Sequence, residues 1–172
     1  MLPAGSAAEM TGKGTEALRE LLLEELGAGV RTTKKLLARV RPGEWDFRPA
    51  DNMRSLGELA NHLAQIPLVD LAILQEKSEE EVRRLESEYA SSDPEKLCEW
   101  MEEGFQSLCD YMRGLDEETF LTRTTKPFYA DHGSTQAKWL VEIVTHVYHH
   151  RAQLFQYLKQ LGHPVNMFDL YG

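Results

Sequence analysis

Residues 145–165 read THVYHHRAQLFQYLKQLGHPV, and the spacing of apolar side chains in this stretch decides the fold class. Val147, Leu154, Leu158 and Leu161 recur as one stripe of an α-helix does, and Leu140 and Ile143 carry the stripe towards the N-terminus. The pattern predicts a helix from about Ser134 or Thr135 to Leu161, ended by Gly162-His163-Pro164. Histidines share that stripe. With Ile143 as the reference and about 100° per residue, His150 falls about 20° away and His146 about 60° away. His149, at about 120°, belongs with Glu142 and Gln156 on the polar side.

Working outward, three more helical patterns precede this one. The first runs from about Thr15 to Arg39, with Leu18, Leu22, Leu26, Val30, Leu36 and Leu37 at helical spacing; Gly27 and Gly29 inside it suggest a kink. Arg41-Pro42-Gly43 stops it, and Glu44–Asn52 reads as a loop with Trp45 and Phe47 tucked against apolar surface. The second opens on Ser55-Leu56-Gly57-Glu58, a capping box, and carries Leu56, Leu59, Leu63, Ile66 and Ile73. Pro67 should bend it, and the acidic stretch Glu76–Glu88 should extend it as a solvated face. The third starts at Ser92-Asp93-Pro94, presents Leu97, Met101, Phe105, Leu108 and Met112, and ends at Gly114. Residues 115–133 read as an irregular connection, and the apolar tail Val165–Gly172 as packing back on the helices. With no strand alternation and no repeat, the reading is all-α, a four-helix bundle formed by one domain over residues 15–172, preceded by a flexible leader at 1–14.

Composition narrows the function. The 172 residues hold 19 Lys and Arg against 28 Asp and Glu, a formal charge of -9, which repels nucleic acid and anionic membranes. The most apolar stretch, Ile66–Leu74, is interrupted by Asp70 and falls short of the roughly 20 residues needed to span a bilayer. The N-terminus lacks the basic and apolar regions of a signal peptide. Cys98 and Cys109 lie about 16 Å apart on one helix at about 1.5 Å rise per residue, too far for a disulfide. They read as reduced thiols of a cytoplasmic protein. Thr11-Gly12-Lys13-Gly14-Thr15 is no phosphate loop, because Lys13 precedes glycine and no strand leads into it.

His62 also faces inward on its helix, with Ile66 and Ile73 within about 40° of it. Three inward imidazoles from two helices, His62, His146 and His150, suffice for a divalent metal with an open position. The alternative is three hydrogen-bonded core histidines, since spacing does not say which helices are neighbours. Glu58, about 40° from His62 and one turn before it, could orient that ligand, supply a fourth one, or serve only the capping box. Arg151 is expected to pair with a carboxylate, His132 to face water, and Gln153 lies near the edge of the inward arc. Trp45, Trp139, Tyr148 and Tyr157 could wall a pocket or simply fill the core.

RSLGELANHLAQIP, residues 54–67, followed by the H-x-x-x-H-R-x-Q segment of residues 146–153, resembles the DinB/YfiT-like superfamily. The resemblance implies a four-helix bundle of up-up-down-down topology, a divalent metal (zinc or nickel) on His62, His146 and His150, and a homodimer. It also implies a function: a metal-dependent thiol S-transferase of the bacillithiol or mycothiol type, acting on small electrophiles and using a low-molecular-weight thiol. A metal-dependent hydrolase and a non-catalytic, stress-response metal- or ligand-binding protein are the alternatives. No residue is singled out as catalytic, and partners other than small molecules and a second copy are not expected.

Overall fold

Three of the four long helices, those that open at Leu56, Pro94 and Gln136, start where a short polar side chain satisfies a free backbone N–H group. The computed structural model describes residues 5–171, with side chains from residue 12 onward. Helix α1 runs Gly5–Leu37, α2 Leu56–Leu74, α3 Glu79–Glu88, α4 Pro94–Arg113, α5 Glu117–Thr122, α6 Gln136–Gln160 and α7 Phe168–Tyr171. Ser55 and Glu58 form the expected reciprocal cap on α2, Asp93 caps α4 and Thr135 caps α6. Residues 1–4 of the expected leader lie outside the described residues, and α1 begins at Gly5 rather than near Thr15.

Leu26, Val30, Leu36 and Leu37 of α1 meet Leu59, Leu63 and Ile66 of α2, Leu97, Met101, Leu108 and Met112 of α4, and Leu140, Ile143, Val147, Leu154 and Leu158 of α6 in one buried cluster. These four helices form a four-helix bundle in which α1 packs on α4 and α6, and α2 packs on the same two. Gly27 and Gly29 lie where Phe105 and the Tyr148 ring press closest on α1, within one unbroken helix.

The acidic stretch is not an extension of α2. Glu76 adopts a left-handed backbone, φ 59, which ends that helix, and Ser78 with Glu81 forms a second capping box that starts α3. Helix α3 runs back along α2: Gln65 donates to the Glu86 and Tyr89 carbonyls, and Asn61 bonds the Ser91 backbone. The chain has therefore returned to the start of α2 before α4 begins, and those two helices run parallel. Contacts from Arg19 to the Met112 carbonyl and from Lys34 to Glu102 set α4 antiparallel to α1. Tyr148 meets Glu25 and Arg151 meets Thr32, so α6 runs with α1; His146 meets Asp70 and Tyr157 meets the Arg54 carbonyl, so it runs against α2. The order of directions is up-down-down-up, which corrects the expected up-up-down-down: α3 is the one connection that crosses the length of the bundle.

The connection after α4 is also more ordered than expected. It contains α5 and a two-residue antiparallel pairing, β1 Thr124–Thr125 with β2 Ser134–Thr135, that leaves residues 126–133 as a loop. The tail folds back only in part. Val165 is buried and Asp169 pairs with Arg39, whereas Met167, Phe168 and Tyr171 stay exposed.

Helices α2 and α4 approach closely at Gly104, where an added Cβ would lie 3.0 Å from the Leu68 backbone nitrogen. A backbone atom cannot step aside. Gly104→Val should therefore destabilise the protein by about 1–3 kcal/mol through overpacking, read as a lower urea midpoint. An unchanged midpoint would mean that the helices separate freely there.

Candidate metal centre

Antiparallel packing of α2 on α6 brings His62 level with both histidines of the i, i+4 pair. Its Nε2 lies 3.2 Å from Nε2 of His146 and 3.1 Å from Nε2 of His150. One donor atom from each of the three residues falls within 4.8 Å of the others. Three nitrogens at zinc–imidazole bond length around a tetrahedral ion would stand roughly 3.4 Å apart, close to this spacing.

The hydrogen bonds behind the rings decide what points into that space. Nδ1–H of His150 donates to Oε1 of Gln153 over 2.7 Å, and Nδ1–H of His146 donates to Oδ2 of Asp70 over 3.4 Å. A neutral imidazole that donates from Nδ1 carries a bare lone pair on Nε2. Two lone pairs thus converge on His62, which has at most one Nε2 proton to share between them. The donor set fits a cation better than it fits three mutually bonded core histidines.

Two adjoining cavities open beside the cluster, and both are lined by Asp70, Tyr129 and His146. The smaller, about 220 Å³, is apolar, walled by Ile66, Val69, Ile73, Val82 and Phe128 with Arg83 and Glu86 also lining it. The larger, about 340 Å³, takes in His132, Ser134, Trp139 and Glu142. A larger groove of about 1300 Å³ lies between α1 and α4, away from the histidines, and includes Cys98 in its wall.

Other candidate residues separate cleanly. Glu58 serves the α2 cap and pairs with Arg48 at 3.0 Å. Among the described residues Arg151 meets no carboxylate: its buried guanidinium donates to Thr32 and the Leu170 carbonyl and lies 4.0 Å over the Tyr148 ring. His132 is exposed, as expected, while bordering the larger cavity. Trp139 lines that cavity, but Trp45 packs against Gly57, Tyr148 against α1 and Tyr157 against the Arg54 carbonyl. Gln153 gains a definite place behind His150. Asp70, Phe128 and Tyr129 are the site residues that pattern reading missed. A charged residue inside the most apolar stretch, two turns beyond His62, was the available signal for Asp70.

Burial lowers the imidazole of His62 to about 3 and that of His150 to about 4, from an ordinary 6.5, with neighbouring histidines adding to the effect. Both are neutral, as ligation requires, near pH 7. The unfolded chain binds protons at these residues below about pH 6.5 while the folded chain does not, so acid favours unfolding. Metal-free protein should lose stability between about pH 6.5 and 5, and His62→Gln should lose less across the same range in urea titrations. Equal slopes in the two proteins would remove His62 as a source.

Over residues 10–172 the sequence matches the DinB family. A DinB-family protein from Exiguobacterium sibiricum is 30% identical, with a TM-score of 0.70 over 86% of this chain and 94% of that one. A DinB-like protein from Bacillus cereus shares the fold at 17% identity and a TM-score of 0.68, covering 86% of this chain and 95% of its own. YfiT from Bacillus subtilis, described as a probable metal-dependent hydrolase with an unusual four-helix bundle topology, matches at 16% identity and a TM-score of 0.66, covering 84% of this chain and 88% of that one. No curated protein matches the chain. A family match that spans nearly the whole sequence places this chain in the DinB family.

Proposed function

We propose that this protein is a metal-dependent enzyme for a small molecule, with one divalent cation, zinc or nickel, on His62, His146 and His150. The observation that carries this reading is the convergence of three Nε2 atoms at the edge of two cavities. A divalent cation there would supply Lewis acidity, lowering the pKa of a water or thiol that enters its open position. The protein's own share is to keep the imidazoles aimed, those of His62 and His150 neutral as well, to hold the reactant in the adjoining space, and to exclude bulk water.

Hydrolysis of a small ester or amide is favoured by the wall that the two cavities share. Tyr129 lies there beside His146 and can take up or give a proton near the reacting atoms. The likeness to YfiT points the same way. Thiol transfer to a small electrophile is supported by the division of the space into two lobes, one for each reactant. Its thiol would come from solution: Cys98 and Cys109 lie on α4, and burial pushes the Cys109 thiol up to about 11. Both cysteines are free, in keeping with a cytoplasmic setting.

The homodimer reading gains support from the surface. Leu18, Leu121 and Val141, exposed at 64%, 45% and 45%, line one apolar hollow where α1, α5 and α6 meet. One bundle therefore does not account for all the apolar residues, and a second copy would cover these. Light scattering should show a dimer that Val141→Glu converts to monomer, and a monomeric parent would end that reading.

The enzyme reading is tested on protein prepared without a histidine tag. Elemental analysis should find about one zinc or nickel per chain, and His146→Ala should hold almost none. Chelation should abolish turnover of p-nitrophenyl acetate if the protein is a hydrolase, or thiol-dependent conjugation of monochlorobimane if it is a transferase. A parent that neither contains nor takes up zinc or nickel would leave the histidines as core residues.

A further inference from the structure

We infer that Asp70 is a positioning residue that pins His146 in the tautomer and orientation that aim its Nε2 at the other two histidines. The inference rests on the three-histidine reading and goes beyond it by assigning the group that holds one ligand in place.

Asp70 occupies an expensive position. It is 7% exposed in the most apolar stretch of the chain, and burial pushes its carboxyl pKa up, with His146 drawing it back. A buried carboxylate with little compensation lowers stability, so its presence calls for a gain elsewhere. Its one hydrogen bond among the described residues is the contact with Nδ1 of His146, 76 positions away in sequence. The rest of its surroundings are the walls of the two cavities, where it stands beside the same histidine.

Geometry makes this contact directional. His62 and Asp70 both lie on α2, two turns apart, so one helix supplies a histidine to the centre and the carboxylate behind a second histidine on α6. A carboxylate that accepts from Nδ1–H removes the competing tautomer, fixes the ring plane and raises the basicity of Nε2. Gln153 does the same for His150 with a neutral oxygen. The two histidines of α6 are thus held by acceptors from different helices, Asp70 of α2 and Gln153 of α6 itself.

Asp70→Asn and Asp70→Leu test the assignment, with Ile73→Ala as a core control on the same helix. Three quantities are measured: zinc affinity against a chromophoric chelator, urea stability of the metal-free protein, and ring ¹⁵N shifts of His146 in that metal-free protein. Asp70→Leu should weaken zinc by about 10–100-fold, and Asp70→Asn by less, without lowering metal-free stability. The ¹⁵N pattern of His146 should change from a single Nδ1–H form to a mixture. Unchanged zinc affinity would overturn the proposal, as would a loss no greater than Ile73→Ala produces at the same loss of stability. If the parent itself binds no zinc, the metal reading fails separately, and the ¹⁵N pattern alone decides: an unchanged His146 signal in Asp70→Leu would overturn the positioning role.

Discussion

Three imidazole nitrogens crowded onto one point form the constraint on which the rest of this bundle turns. Lone pairs at 3.1–3.2 Å repel unless a proton or a cation lies between them. Holding them there requires α2 and α6 to be neighbours, level with one another and unable to slide, and their antiparallel run sets Asp70 beside His146 as well. The Leu and Ile stripes beside the histidines provide that resistance, because a shift of one helical turn would drive whole rows of side chains out of their places. Burial of the His62 and His150 rings does a second job by keeping those two uncharged at neutral pH.

Topology follows from the same requirement. If α2 and α6 are to be neighbours and antiparallel while α1 and α4 fill the other corners, one connection must travel the full length of the bundle. Helix α3 does so. Its residues Val82, Arg83 and Glu86 then become part of the wall beside the histidines. The crossover and the pocket are therefore one solution to one geometric problem.

Much of this was legible in the residues. The inward arcs of His62, His146 and His150 follow from helical period alone, because 100° per residue is a backbone property that packing leaves intact. The caps at Ser55, Asp93 and Thr135 were legible for a similar reason, being local hydrogen bonds. Helix direction was not: a stripe of leucines reads the same whichever way its helix points. Ser78-x-x-Glu81 was passed over because the surrounding charges suggested a continuous exposed face. Two-residue strands at Thr124 and Ser134 are too short to show alternation. Leu18 fits the stripe by spacing yet faces outward, so periodicity located the helix better than it located the core. Asp70 escaped because a periodic reading treats a lone charge as noise, whereas its cost in an apolar setting is the clue.

The placement of α3 has a further consequence. Of its residues only Val82 is buried, and its outer face is a succession of charged side chains. A wall carried by such a helix can change its side chains while the histidines and the leucine stripes stay where they are. Variation in the cavity's lining is thereby separated from variation in whether the chain folds, because altering a single peripheral turn leaves the core untouched.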